Sequence, residues 1–437
     1  MIIPLRNLRN INRIGRLWNK KTKNILFLKC VQCGRQYSEE EASYVCPHCG
    51  QQGVLKVHYD YDLISARLSK ENLRQSNEYS HWRYLELLPL NDRNFVPPLR
   101  VGFTPLYPSA KLGQELGVGE LYIKDDTGNP TASLKDRATS VCIARCLEQG
   151  GNEIACASTG NAGASCAGFA AATGMKSYIF VPQKAPRAKI AQLLLYSATI
   201  FAVEGTYEDA FKLCQEACSH FGWYNRNTGF NPFTVEGKKT VALEICEQLG
   251  WHAPDIIIVP VGDGCIISGV WRGLCDLHTL GFIDRCPQLI AAQAEGSQAI
   301  KQALEGDGVV RPVPVNTIAD SIAVSMPSNG TMAVESIRTS GGYAVAVSDE
   351  EILEAMKELG RSTGIIAEPA AAAPLAVLRK MVAEGQDLKN KRVVLLVTGS
   401  GLKDMDSAVK AGGEPIHIRP KLEEVERALH KLERRSI

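Results

Sequence analysis

The chain has 437 residues, 45% hydrophobic and 22% charged. That balance leaves room for two or three compact domains and excludes a largely disordered chain. Lys and Arg number 49 against 47 acidic residues, a formal net charge of +2, so no global basic field draws nucleic acid or an acidic membrane. The longest apolar runs, such as residues 256–259 and 393–397, fall far short of the roughly 18 residues a spanning helix needs.

Residues 1–29 hold eight basic side chains (Arg6, Arg9, Arg13, Arg16, Lys20, Lys21, Lys23 and Lys29) and no acid. This segment reads as a basic N-terminal extension. An Arg-rich, acid-free start fits an organelle transit peptide, but the segment has no Ser. The alternative is a basic tail or an oligomer arm. Most of the fourteen cysteines sit singly in apolar patterns (Cys142, Cys146, Cys156, Cys214, Cys218), where reduced thiols act as small hydrophobes. A reducing, cytoplasmic setting is expected, with an organelle left open.

Four cysteines differ. Cys30-Val-Gln-Cys33 and Cys46-Pro-His-Cys49 are two CxxC pairs twelve residues apart. A two-residue spacer lets both thiolates of one turn converge on a tetrahedral ion. Gly34 and Gly50 follow the pairs and can take positive φ, turning backbone N–H groups toward sulfur. Residues 30–58 therefore read as a structural Zn²⁺ ribbon with Cys30, Cys33, Cys46 and Cys49 as ligands. Redox pairing is the rival. His48 is read as a loop residue, because four thiolates already close the site. The ribbon carries no dense basic or aromatic stripe, so no nucleic-acid partner is expected.

Beyond residue 100 short β-branched runs recur at 121–124, 154–157, 178–181, 199–203, 255–261, 289–293, 343–347 and 393–398. Amphipathic segments lie between them. Residues 206–221 place Tyr207, Ala210, Phe211, Cys214, Ala217, Cys218 and Phe221 at helical spacing. Alternating strand and helix means crossover connections and parallel sheets, so the fold class is α/β with two doubly wound domains. In such sheets the loops at the carboxyl ends of the strands carry the chemistry.

Three of those loops are unusual. Gly128-Asn-Pro-Thr-Ala-Ser-Leu-Lys-Asp-Arg137 places Lys135 at a helix start, where the dipole and desolvation favour a neutral amine that can condense with a carbonyl. Ser158-Thr-Gly-Asn-Ala-Gly163 opens an Ala-rich helix whose amides can approach a carboxylate. Gly262-Asp-Gly-Cys-Ile-Ile-Ser-Gly269 offers glycines and N–H groups at a helix start, the makings of a phosphate cradle. Each alone is also compatible with an ordinary turn.

In this order the three loops resemble the fold-type II pyridoxal-phosphate enzymes, which include tryptophan synthase β, threonine dehydratase and threonine synthase relatives. The closest likeness is to threonine synthase. Asn129-Pro-Thr-Ala-Ser-Leu-Lys-Asp-Arg137 is similar to its lysine motif and Ser158-Thr-Gly-Asn-Ala-Gly163 to its Asn loop. Glu236-Gly-Lys-Lys-Thr240 and Thr398-Gly-Ser-Gly-Leu-Lys-Asp404 are similar to its later signatures. The resemblance spans about residues 100–408, and some threonine synthases carry an N-terminal zinc ribbon.

The resemblance implies pyridoxal 5′-phosphate held by Lys135, which would also move the Cα proton. Asn161 would meet the phenolic oxygen of the cofactor. Gly262, Asp263, Gly264, Cys265 and Ile266 would wrap its phosphate, and Thr398 would face its ring nitrogen. Ser158 and Thr159 would hold the carboxylate of a small amino-acid substrate. A hydroxyl at 398 makes a weaker electron sink than an aspartate, which suits elimination or replacement at the β or γ carbon.

The chain departs from that pattern where an Arg commonly grips substrate phosphate: Thr234 stands there, with Thr228 and Gly229 in place of a polar pair. Lys184, Arg187 or Lys189 are candidate replacements. The implied activity is a lyase converting O-phosphohomoserine and water to threonine and phosphate. The alternatives are a threonine/serine dehydratase, a β-replacement synthase acting on an activated serine such as O-phosphoserine, and a non-catalytic binding protein on the same fold. By resemblance, the large cofactor domain takes residues 59–135 and 236–413 and the small inserted domain residues 136–235. Residues 420–434 form an amphipathic helix with Leu422, Val425, Leu429 and Leu432 on one stripe. This C-terminal segment, residues 414–437, must bury its stripe on the chain or on a second subunit, and the family's habit is a homodimer.

Overall fold

The computed structural model describes residues 22–185 and 187–433. The basic residues from Arg6 to Lys21 lie outside that range. Three sheets organise the described residues. The first is antiparallel, β2-β1-β3, from β1 (Ile25–Cys30), β2 (Gln36–Tyr37) and β3 (Leu55–Tyr59). It corrects the boundary at residue 29, since β1 runs across it. Ile25 and Leu28 are buried in the core, Thr22 N donates to Glu39 at 2.7 Å, and Asn24 Nδ2 donates to the carbonyl of Leu88 at 2.9 Å. Residues 22–29 are therefore part of the ribbon sheet.

The largest sheet runs β12-β11-β10-β13-β5-β4. Its strands are β4 (Leu106–Pro108), β5 (Glu120–Asp125), β10 (Ile256–Pro260), β11 (Gln288–Ala294), β12 (Tyr343–Val347) and β13 (Arg392–Val397). All are parallel except β4. Every residue of β10 is buried, because helices cover both faces and leave no polar side for alternation. The third sheet, β8-β7-β6-β9, is parallel: β6 (Glu153–Ala157), β7 (Lys176–Pro182), β8 (Thr199–Val203) and β9 (Tyr224–Asn225). In the chain it falls between β5 and β10, so the two halves of the large sheet enclose it in sequence.

The helix Tyr207–Phe221 starts at a capping box between Thr206 and Asp209 and stops at Gly222, φ 73°. Its buried stripe is Ala210, Cys214 and Cys218, narrower than its seven-residue sequence pattern. The spare residues Tyr207 and Phe211 line a cavity instead. The ribbon sheet is tied to the body by buried polar contacts. Tyr59 OH donates to Glu236 at 2.8 Å, Lys239 Nζ lies 4.0 Å from the centre of the Tyr59 ring, and Arg145 pairs with Glu39 at 2.8 Å.

The C-terminal helix is Leu422–Glu433, and its apolar stripe is open to solvent: Leu422 is 72% exposed and Leu429 54%. No helix among the described residues is long and apolar enough to cross a membrane.

Candidate active site

Strand ends of both parallel sheets meet at one place. The carboxyl ends of β5, β10 and β13 in the large sheet, and of β6 and β9 in the small one, lead into loops around a cavity of about 960 Å³. Lys135, Ser158, Thr159, Asn161, Gly262, Asp263, Gly264, Cys265, Ile266 and Thr398 all line it. Residues from four separate stretches of sequence thus share one space, as expected for ligand sites between doubly wound sheets.

Lys135 opens the helix Lys135–Glu148 and is fixed by its neighbours. Leu134 N donates to the carbonyl of Thr398 at 2.8 Å, and Asp136 accepts Thr131 N at 2.6 Å. Two residues on, the buried Arg137 donates to Asp126 and Glu244, and Glu244 also takes Lys124 at 2.7 Å. This closed set of paired charges pins the helix start, so the lysine stem leaves a rigid base. Burial pushes the Lys135 amine below its ordinary value, and the Arg226 guanidinium adds to the shift. Glu368, Asp263 and Cys265 oppose them. A buried amine held down in this way is a ready nucleophile toward a carbonyl.

Asn161 begins the helix Asn161–Ala172, which approaches the strand end closely. A Cβ on Gly163 would lie 2.1 Å from the carbonyl oxygen of Ser158, so only glycine fits. The Asn161 amide donates to both Glu368 oxygens at 2.9 Å and its Oδ1 accepts Lys403 Nζ at 3.0 Å. Ser158 Oγ accepts Gly160 N at 3.2 Å.

Gly264 precedes the helix Cys265–Thr279 at φ +86°, and a Cβ there would sit 2.7 Å from the Ala333 side chain. The chain is thus drawn into a tight turn at the start of a fifteen-residue helix, the geometry that receives an anion. The Asp263 carboxylate, which would repel such an anion, accepts Ser328 N and Oγ at 3.2 and 2.8 Å. A glycine cradle beside a buried lysine amine fits pyridoxal 5′-phosphate.

Thr234 lies outside the cavity lining. It is buried, with Oγ1 donating to the carbonyl of Asn231 at 2.8 Å. Lys184 is exposed and does not line the cavity, and the side chains of Arg187 and Lys189 lie outside the described residues. Two buried cations the sequence reading passed over do line it, Arg226 and Lys238, together with the exposed Lys212. Arg226 follows β9, a two-residue strand too short to give a periodic signal. The Gly222 helix stop and the aromatic pair Trp223-Tyr224 before it are the available clue. Lys238 lies in the Glu236–Thr240 signature but had no role assigned. Glu368 and Lys403, which hold Asn161, were also missed.

The ribbon sulfurs of Cys30, Cys33, Cys46 and Cys49 all lie within 4.8 Å of one another, and His48 is not among the group. Gly34 and Gly50 have φ of +72° and +61°, but their N–H groups bond the carbonyls of Cys30 and Cys46. The Cys49 N–H does reach sulfur, 3.4 Å from Cys46 Sγ.

The chain belongs to the pyridoxal-phosphate-dependent enzyme family, which it matches over residues 98–399. It is 40% identical to the threonine synthase of Methanocaldococcus jannaschii over 407 residues, 92% of this chain and 99% of that one. It is 38% identical to the threonine synthase of Methanosarcina acetivorans over 405 residues, 92% and 98% of the two chains. Within the family it is a threonine synthase-like lyase. Among solved structures, the processed threonine deaminase isoform 2 of Solanum lycopersicum superposes with a TM-score of 0.62 at 20% identity. That match covers 80% of this chain and 93% of that one. Maize serine racemase gives 0.59 at 23% identity, covering 68% and 89%. These structures share the fold.

Proposed function

We propose that this enzyme converts O-phosphohomoserine and water to threonine and phosphate. The observation that carries the reading is the buried Lys135 amine, which shares one cavity with the Gly262–Ile266 cradle in a chain similar to threonine synthases over 92% of its length. Lys135 would hold the aldehyde carbon of the coenzyme, the cradle amides its phosphate, and Thr398 would stand at its ring nitrogen. The bound coenzyme supplies the electron sink that makes loss of a Cα proton accessible. Lys135 Nζ then takes that proton and returns it, Ser158 and Thr159 hold the substrate carboxylate, and the walls of both sheets exclude bulk water.

Thr234, buried away from the cavity, favours a second reading: β-replacement on O-phosphoserine, or deamination of threonine or serine. Incubation with each amino acid separates them. Inorganic phosphate and threonine from O-phosphohomoserine support the first reading. 2-Oxobutyrate and ammonia from threonine alone, or turnover of O-phosphoserine alone, overturn it.

The four converging sulfurs support a structural Zn²⁺ in the ribbon. The exposed stripe of the C-terminal helix supports a homodimer, and the unpaired thiols support a reducing, cytoplasmic compartment.

A further inference from the structure

Among the described residues, the buried cations outside the cavity are paired. Lys124 and Arg137 meet Glu244, Arg145 meets Glu39, and Lys239 meets Glu236 and Asp276. Arg226 and Lys238 break that rule. Arg226 is fully buried, with Nε donating to Thr139 at 3.1 Å and Nη1 to Thr228 at 2.8 Å, both neutral hydroxyls. Its Nη2 has no hydrogen-bond partner among the described residues. Lys238 ends the helix Phe233–Lys238, is fully buried, and its Nζ likewise has no partner among them. Both line the 960 Å³ cavity with Lys135.

A buried charge without a counter-charge is costly to fold around. A site that keeps two of them, beside a lysine that needs no further cation to react, has room for a doubly charged anion. The Gly262–Ile266 cradle offers its helix-start amides to one phosphate. Arg226 and Lys238 come from different elements, the end of β9 and the helix 233–238. They bracket in sequence Thr228, which also lines the cavity, and Thr234, which does not.

We propose that Arg226 Nη2 and Lys238 Nζ form a clamp for the phosphate carried by the amino-acid substrate. The clamp rests on the reading of this enzyme as acting on a phosphorylated amino acid. A guanidinium edge and a point ammonium together give a charge-assisted grip on a phosphomonoester. An unphosphorylated amino acid would leave both cations unpaired, so the clamp also selects against threonine and serine.

The test uses coenzyme-loaded enzyme and the variants Lys238→Gln, Lys238→Arg, Arg226→Gln and Arg226→Lys. Calorimetry measures binding of inorganic phosphate, the visible band of bound coenzyme measures its retention, and steady-state kinetics measure KM and kcat for O-phosphohomoserine and O-phosphoserine. Lys238→Gln and Arg226→Gln should each weaken phosphate binding about tenfold or more. KM should rise by a similar factor while coenzyme retention holds, and Lys238→Arg should recover most of the loss. Parent-like phosphate affinity in both Gln variants overturns the clamp whatever the reaction is. Loss of coenzyme with unchanged phosphate affinity of the loaded protein also overturns it, assigning the cations to the coenzyme's own phosphate. If neither phosphorylated amino acid is turned over but phosphate binding still depends on both cations, the reaction is wrong and the clamp stands. Should a Gln variant not fold, the conservative Lys and Arg variants carry the same comparison.

Discussion

The amide nitrogen of Asn161 lies 2.9 Å from both carboxylate oxygens of Glu368, while its carbonyl oxygen accepts Lys403. A negative group on the donor side and a positive one on the acceptor side fix which way the amide faces. Glu368 also counters the burial that lowers the Lys135 amine. Glu368→Gln should therefore lower kcat by roughly tenfold to a hundredfold through misplacement of Asn161. Removing the carboxylate should also shift the Lys135 amine further down, so coenzyme uptake begins at lower pH. Uptake followed by absorbance across a pH series checks this, and an unmoved profile refutes it.

Burial pulls Lys238 down to about 8, with Lys135 and Arg226 adding to the shift and Cys265 and the Asp263 carboxylate opposing it. The ammonium is the form that holds an anion, so affinity for inorganic phosphate should be largest below pH 8 and decline as pH rises through that value. In Lys238→Arg, whose guanidinium stays charged, the decline should vanish. Calorimetric titrations at pH 7 and pH 9 measure both.

Burial opposes ionisation of Glu244, yet Arg137 and Lys124 outweigh it and hold its carboxyl well below the usual carboxylate range. This stabilisation is fully present above the unfolded-state carboxylate value near pH ~4.3 and is lost as acid protonates the group. Glu244→Gln should cost about 3–5 kcal/mol by leaving the buried Lys124 without its counter-charge and Arg137 with Asp126 alone. Urea unfolding at neutral pH should show that drop in midpoint with little change in slope.

Metal removal should act on the fold before the chemistry. The ribbon sulfurs converge within 4.8 Å and the ribbon sheet reaches the body through Tyr59 and Glu236. Metal analysis should find one Zn²⁺ per chain, and a chelator should expose the Arg145–Glu39 and Lys239–Glu236 contacts to solvent. The expected readouts are a lower melting temperature and faster proteolysis near residues 30–58. Cys46→Ser should reproduce both.

Deleting residues 420–437 removes the exposed stripe of Leu422, Val425, Leu429 and Leu432. Sedimentation should then show the parent as a dimer and the truncated chain as a monomer with a melting temperature close to the parent's. A truncated chain that stays dimeric refutes a subunit role for the helix.

Local sequence was enough for whatever depends on neighbours in the chain. The runs of β-branched residues mark β5 to β8 and β10 to β13, which burial on both faces explains for β10 and β13, while β8, with no buried residue, is marked by composition alone. The CxxC spacing brings its sulfurs together through turns of four residues, and Lys135, Asn161 and Gly264 stand at helix starts that loop chemistry alone announces. Charge compensation is another matter, because it is decided across the fold. Whether Arg226 and Lys238 are paired, whether Glu368 faces Asn161 from 207 residues away, and whether position 234 points into the cavity all depend on elements distant in sequence. β9 has only two residues, with no period to read, yet its pairing with β6 sets Arg226 on the cavity wall. Which cations are left without a counter-charge is a property of the packed interior, and only the tertiary structure could decide it.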